Sequence, residues 1–286
     1  MKKLIKLFFN ILPKIQFFIS ARNYLSYYAN HGYFPSKKNM RYLNDYMFFL
    51  KNSPASSKYG YFIDKDTVKR FIEAFLGNKY VTPTLGVFDD IEKLKVFSYS
   101  GKYVVKPTHM AGRIIIKDGG SLNQEELKLA EKWLKENYGK ISRECCYMNL
   151  NPKILIENFV SYKGKVPYDY KFFVINGKCE LIQVNLDRFG DSRLNLYDRD
   201  WNKLDLQFVY PNSDEIVEKP VALKEMLEIS EKVGSLFPFV RVDLYIADEG
   251  IRFGELTFVP AAGLAHFKPK EFEAKLYEKL NPADLY

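Results

Sequence analysis

The chain has 286 residues, of which 47% are hydrophobic and 27% charged, an ordinary globular composition with room for two or three subdomains. Lys and Arg outnumber Asp and Glu by 43 to 35. That surplus draws nucleotide phosphates, acidic polysaccharide or anionic lipid without choosing among them; no zinc-finger, RNP or helix-turn-helix signature supports nucleic acid as a partner.

Met1 to Ser20 come first. Lys2-Lys3 followed by Leu4, Ile5, Leu7, Phe8, Phe9, Ile11 and Leu12 imitates a signal peptide, but Lys6, Asn10, Pro13, Lys14 and Gln16 break the run too often for it to span a bilayer. Residues 4–19 read either as a basic amphipathic helix on the inner leaflet or as a helix docked on the protein's own core. Helices with short breaks continue to about residue 56, interrupted at Gly32-Tyr33-Phe34-Pro35-Ser36 and at Ser53-Pro54-Ala55-Ser56-Ser57. Asp64 opens a helix whose apolar face carries Val68, Phe71, Ile72 and Phe75, and Gly77 closes it. A loop from Val81 leads into a short strand. Strands at 102–106 and 113–116, a helix at 124–138 and a strand at 153–157 follow.

The pattern then turns mainly β. Strands at 170–175 and 179–185 flank Asn176-Gly177, a strong hairpin signal. A helix at 222–237 precedes a second hairpin, 240–246 with 251–258, and a helix at 268–280 follows. Without strict β-α-β alternation, the expected class is α+β. The three cysteines (Cys145, Cys146, Cys179) and three scattered histidines form neither a disulfide framework nor a zinc spacing, which fits a reducing, cytoplasmic compartment.

Chemistry concentrates in the last hairpin, Arg241-Val242-Asp243 and Gly254-Glu255-Leu256-Thr257. Residues two apart on a strand share a face, so Arg241 pairs with Asp243 and Glu255 with Thr257. If Asp243 and Glu255 converge, their repulsion calls for a cation, and magnesium suits oxygen ligands beside phosphates. The competing reading is a solvated hairpin with ordinary acids. A second group is Lys106 at a strand end, followed by the small-residue loop Pro107 to Gly112, which can bring backbone N–H groups to phosphate oxygens. His109 in that loop reads as a structural histidine making one hydrogen bond. Glu157 ends a strand that runs into the apolar Phe159-Val160. Asp169 and Lys171 share the face of the next strand, with Arg188 and Arg193 in the loop after its hairpin; taken singly, either arginine reads as part of a solvated loop.

In order, these groups resemble the ATP-grasp superfamily from about Asp64 to Gly263, and Gly32-Tyr33-Phe34-Pro35, Asp169-Tyr170-Lys171-Phe172-Phe173, Arg241-Val242-Asp243-Leu244-Tyr245 and Phe253-Gly254-Glu255-Leu256-Thr257-Phe258 are similar to its TupA-like group, associated with teichuronic acid, capsule and other bacterial surface polysaccharides. The resemblance implies an ATP-grasp fold: a helical region at 1–56, the first part of the core at 57–100, a lid at 101–161 and a metal-binding subdomain at 162–286. It implies that Lys65, Lys106, Gly112, Glu157, Phe159, Val160 and Asp169 bind ATP. Asp243, Glu255 and Thr257 would hold Mg2+, and Arg241, Lys171, Arg188 and Arg193 would serve catalysis. Thr257 departs from the family's usual Asn, with a shorter reach to a metal.

The implied reaction joins a carboxylate to an amine through an acyl phosphate, with a glycan uronic acid as the carboxylate and peripheral contact with the inner membrane face through residues 1–20. Two other classes stay open in the residues: a nucleotide-sugar glycosyltransferase with Asp243 on its metal, and a non-catalytic membrane-associated scaffold.

Overall fold

The computed structural model describes residues 16–186 and 193–280, with side chains from residue 20. Most of residues 4–19, and Arg188, lie outside the described part. Helices α1 (Gln16–His31) and α2 (Leu43–Asn52) open it, followed by the short α3 (Gly60–Ile63) and by α4 (Lys65–Leu76). Asp64 caps α4 by accepting from the N–H groups of Asp66 and Thr67, and Gly77 ends the helix at φ 103°. No helix among the described residues is long and apolar enough to cross a membrane.

Two antiparallel sheets follow. The first has the order β1-β4-β2-β3, from β1 (Thr84–Phe88), β2 (Tyr103–Pro107), β3 (Ile115–Lys117) and β4 (Ile154–Asn158). Its two faces differ. Tyr103, Val105, Ile154 and Ile156 join Leu127, Ala130 and Trp133 in one core; these last three lie along α6 (Gln124–Lys135), which comes after the five-residue α5 (Ile91–Lys95) and before α7 (Tyr138–Ser142). The opposite face carries Val104, Lys106 and Glu157, so one strand pair serves a core on one side and polar chemistry on the other.

The second sheet has the order β10-β9-β5-β6-β7, built from β5 (Asp169–Ile175), β6 (Lys178–Asn185), β7 (Leu194–Tyr197), β9 (Phe239–Ala247) and β10 (Gly250–Thr257). α8 (Leu223–Gly234) packs so closely on β5 that a Cβ on Gly234 would stand 2.3 Å from Val174 Cγ1. The main core lies here and extends to Met47, Tyr59, Val68 and Ile72 of the N-terminal helices. The small β8 (Gln207–Phe208) pairs with β11 (Phe267–Lys268), and α9 (Glu271–Glu278) ends the described chain.

The last hairpin departs from simple pairing. Around the turn Gly250 pairs with Ala247 and Phe253 with Leu244, but Glu255 then pairs with Asp243 and Thr257 with Arg241. Gly254 is the extra residue of a β-bulge. Unbulged pairing would set Glu255 opposite Val242, on the other face. The bulge therefore brings the two carboxylates together.

Candidate active site

A cavity of ≈ 320 Å³ opens between the polar face of the first sheet and the charged face of the second. Lys65, Lys106, Gly112, Glu157, Phe159, Val160 and Glu255 of the sequence-derived set line it. Lys65 is the first residue of α4, where the helix dipole adds positive potential. Its N–H donates to Thr108 O at 3.0 Å, and its Nζ donates to Met110 O, tying the helix start to the loop after β2. Burial lowers the Lys65 pKa against the pull of Glu255. His109 Nε2–H donates to Glu136 O, 3.2 Å away, as a structural histidine does.

Glu157 projects its side chain between two lysines. Its Oε2 lies 2.7 Å from Lys69 Nζ and its Oε1 pairs with Lys106 Nζ. Burial would raise the Glu157 pKa, but Lys106 and Lys69 hold it below the ordinary carboxylate range. Lys69 is absent from the sequence-derived set, although it lies one helical turn beyond Lys65 on the same face of α4. Burial lowers its pKa, with Glu157 opposing.

On the second sheet, Lys171 pairs with Asp243 across β5 and β9 and reaches both Asp243 Oδ2 (2.5 Å) and Asp169 Oδ2 (2.6 Å). Asp169, 2% exposed, faces Lys171 and does not line the cavity. Arg241 grips Asp243 with two bonds of 2.7 Å, and its Nη2 also donates to Glu255 Oε1 at 3.1 Å and Thr257 Oγ1 at 3.0 Å. The cation expected between the two carboxylates is, in this structure, a guanidinium. Burial pushes Asp243 up to about 6 despite Arg241 and Lys171, while Asp243 and Glu255 hold Arg241 above its ordinary value against burial. Arg193 lies just ahead of β7, the sheet edge farthest from β10, and does not line the cavity.

Three more lining residues, Asn158, Tyr245 and Gly254, receive no role from the sequence. Asn158 Oδ1 is buried without a hydrogen-bond partner. Tyr245 and Gly254 share the floor, where a Cβ on Gly254 would stand 2.6 Å from the Tyr245 ring.

The charge balance has a direction. Lys65, Lys69, Lys106, Lys171 and Arg241 confront Glu157, Asp169, Asp243 and Glu255, so the described site holds excess positive charge for a polyanion. Three oxygens, from Asp243, Glu255 and Thr257, converge on the single Arg241 Nη2 position. That hard-oxygen set fits Mg2+, an ion that completes its shell with water and phosphate oxygens.

The sequence profile of the TupA-like ATP-grasp family matches residues 46–281. The chain belongs to this family. No protein with a curated description matches the chain. Solved structures similar to this TupA-like chain include the D-alanine–D-alanine ligase of Bacillus anthracis complexed with ATP (16% identity, 78% of this chain, 64% of that one, TM-score 0.42). That of Helicobacter pylori is similar at 15% identity (77% of this chain, 61% of that one, TM-score 0.43). The ATP-grasp ligase PsnB complexed with a phosphomimetic variant of its minimal precursor, Mg and ADP, is similar at 14% (82% and 60%, TM-score 0.41). The chain spans about half to two thirds of such proteins' length.

Proposed function

We propose that the chain is an ATP- and magnesium-dependent ligase that activates a carboxylate as an acyl phosphate and passes it to an amine, the carboxylate being a uronic acid of a surface glycan or its precursor. The observation that carries this reading is the convergence of Asp243, Glu255 and Thr257 on one cation position; of these three Glu255 lines the cavity, with Lys65 and Lys106, while Asp243 is buried behind it.

In this reading Lys65 and Lys106 meet the α- and β-phosphates. Lys69 remains on Glu157 when Lys106 turns to the nucleotide, so the carboxylate is never left without a cation. Adenine lies along the backbone of Phe159 and Val160, and its amino group donates to the orphan Asn158 Oδ1. Asp243, Glu255 and Thr257 hold magnesium, which supplies Lewis-acid neutralisation of phosphate charge when bound. Arg241 then leaves Glu255 and Thr257 and turns to the substrate carboxylate, where it stabilises the oxyanion. Lys171 keeps Asp243 ionised and oriented.

A carboxylate oxygen attacks the γ-phosphorus and the bond to the β–γ bridging oxygen breaks, releasing ADP. The amine nitrogen attacks the acyl carbon, phosphate leaves, and the amine's proton passes to solvent. Catalysis is mainly positioning and electrostatics. The loop 107–113 closes as a lid and keeps water from the acyl phosphate. A lipid-linked acceptor would bring the chain to the inner membrane face through residues 4–19.

The test is ADP release across uronic-acid oligosaccharides paired with candidate amines. Turnover with one pair, lost in Asp243→Asn and Glu255→Gln, is expected. Full turnover in both variants, or thermal protection by UDP-sugars and none by MgATP, would overturn the reading.

A further inference from the structure

The Gly32-Tyr33-Phe34-Pro35 segment takes no part in the nucleotide cavity. Its Tyr33 and Phe34 line a separate groove of ≈ 660 Å³ together with Lys38 and Arg41, and Lys270 and Tyr42 lie at its margin against Tyr33 and Arg41. Phe34 stacks on Tyr28 (ring centroids 4.7 Å apart) yet stays 54% exposed. The Arg41 guanidinium lies 5.3 Å from the Tyr33 ring and 5.9 Å from the Tyr42 ring. Lys270 Nζ lies 4.8 Å and 4.3 Å from the same two rings.

Two cations thus share two aromatic faces. Asp45 beneath them is fully buried, and four donors occupy it: the hydroxyls of Tyr27 and Tyr33 and the N–H groups of Arg41 and Tyr42. Those bonds fix the ring of Tyr33 and the backbone that presents Arg41, so the groove is preorganised. Cation–π contact holds each positive head group in place, and an anion beside both would be attracted by both. Phe34 adds an open apolar ring face beside that position.

We propose that this groove binds an acidic saccharide chain, with carboxylates on Arg41 and Lys270 and the C–H face of a sugar ring on Phe34. A concave groove walled by rings suits a file of pyranose units better than a flat bilayer surface. Buried side chains behind the groove pack toward the turn that follows β10. Tyr27 stacks on His31 at 3.9 Å, and His31 Nε2 meets Gly263 O at 3.0 Å, in the turn that directly follows Glu255 and Thr257 on β10. In the ligase reading, a chain held here would be a part of the acceptor away from the reacting unit. The acceptor role rests on the ligase reading; the binding does not.

Calorimetry on the full chain with tetragalacturonate, a neutral maltotetraose control and phosphatidylserine vesicles tests it. Tetragalacturonate is expected to bind and maltotetraose to fail. Arg41→Gln/Lys270→Gln is expected to weaken the acid at least tenfold, and the exposed Phe34→Ser severalfold, with MgATP affinity and Tm held. Equal affinity for acidic and neutral chains, unchanged affinity in both variants, or binding to the vesicles alone would overturn the proposal. Retained tetragalacturonate binding without any MgATP binding would sink the ligase reading and leave the groove standing.

Discussion

Glu157→Gln is the perturbation most directly computable from the structure. Glu157 is the shared partner of Lys69 and Lys106, whose side chains are 9% and 18% exposed. The substitution keeps shape and removes charge, leaving two half-desolvated lysines to face each other. Losing one partner of a buried pair costs about 3–5 kcal/mol, which at this chain length lowers Tm by roughly 5–8 °C. The pH dependence gives the sign. The folded pKa of Glu157 lies below its ordinary value, so its contribution is present at neutral pH and is lost as pH falls through that depressed value. The folded pKa of Lys69 is also lowered, by burial, and losing Glu157 lowers it further. The stranded charge therefore disappears as pH rises toward the ordinary lysine range. The stability gap between wild type and variant should be widest near neutrality and close on both sides. Urea unfolding at intervals from about pH 2 to 10 measures it. A gap below about 1 kcal/mol, or one flat across that range, would refute the clamp. MgATP should return more stability to the variant than to the wild type, since the phosphates supply the missing negative charge.

Other outcomes follow from particular contacts. Gly254→Ala places a Cβ 2.6 Å from the Tyr245 ring and should drive that ring into the cavity, weakening MgATP about tenfold by calorimetry; Gly254→Ala/Tyr245→Ala should recover much of the loss. Lys51, 2% exposed, donates to Ala262 O at 2.9 Å and so holds a turn in which Ala261 and Ala262 both have positive φ (50° and 55°). Lys51→Met should cost about 2–4 kcal/mol in urea unfolding and lower ligase turnover more than MgATP affinity. Thr257→Asn lengthens the oxygen donor beside Glu255 and should lower the half-saturating magnesium concentration in the ADP-release assay about fivefold, the worth of ~1 kcal/mol.

The parts of this site that could be read in the sequence are those where local pattern and charge agree. Asp64 before an apolar helical face and Gly77 after it announced α4 within a residue, because capping is a local transaction. Asn176-Gly177 announced the β5–β6 turn for the same reason. Lys106 was legible as a strand-end lysine before a small-residue loop, but its face was not: that follows from Tyr103 and Val105 packing on the core, which turns Val104 and Lys106 the other way. What stayed hidden is non-local. Nothing within a few residues of Lys69 names Glu157, 88 positions away, and the short β8 and edge strand β7 carry too few residues for a period to register.

The bulge at Gly254 teaches most. Shared-face logic put Asp243 beside Glu255 only if the strands paired suitably, and the regular register set by the tight turn would have turned Glu255 away. One inserted glycine reverses that, and its missing Cβ also admits the Tyr245 ring. A residue that could pass for a plain strand glycine thus sets both the register of the carboxylates and the shape of the cavity floor. A side chain at 254 meets the Tyr245 ring first, so Gly254→Ala should reshape the cavity floor with the Asp243–Glu255 pairing retained, and failure of Tyr245→Ala to restore MgATP binding would show that the register had moved as well.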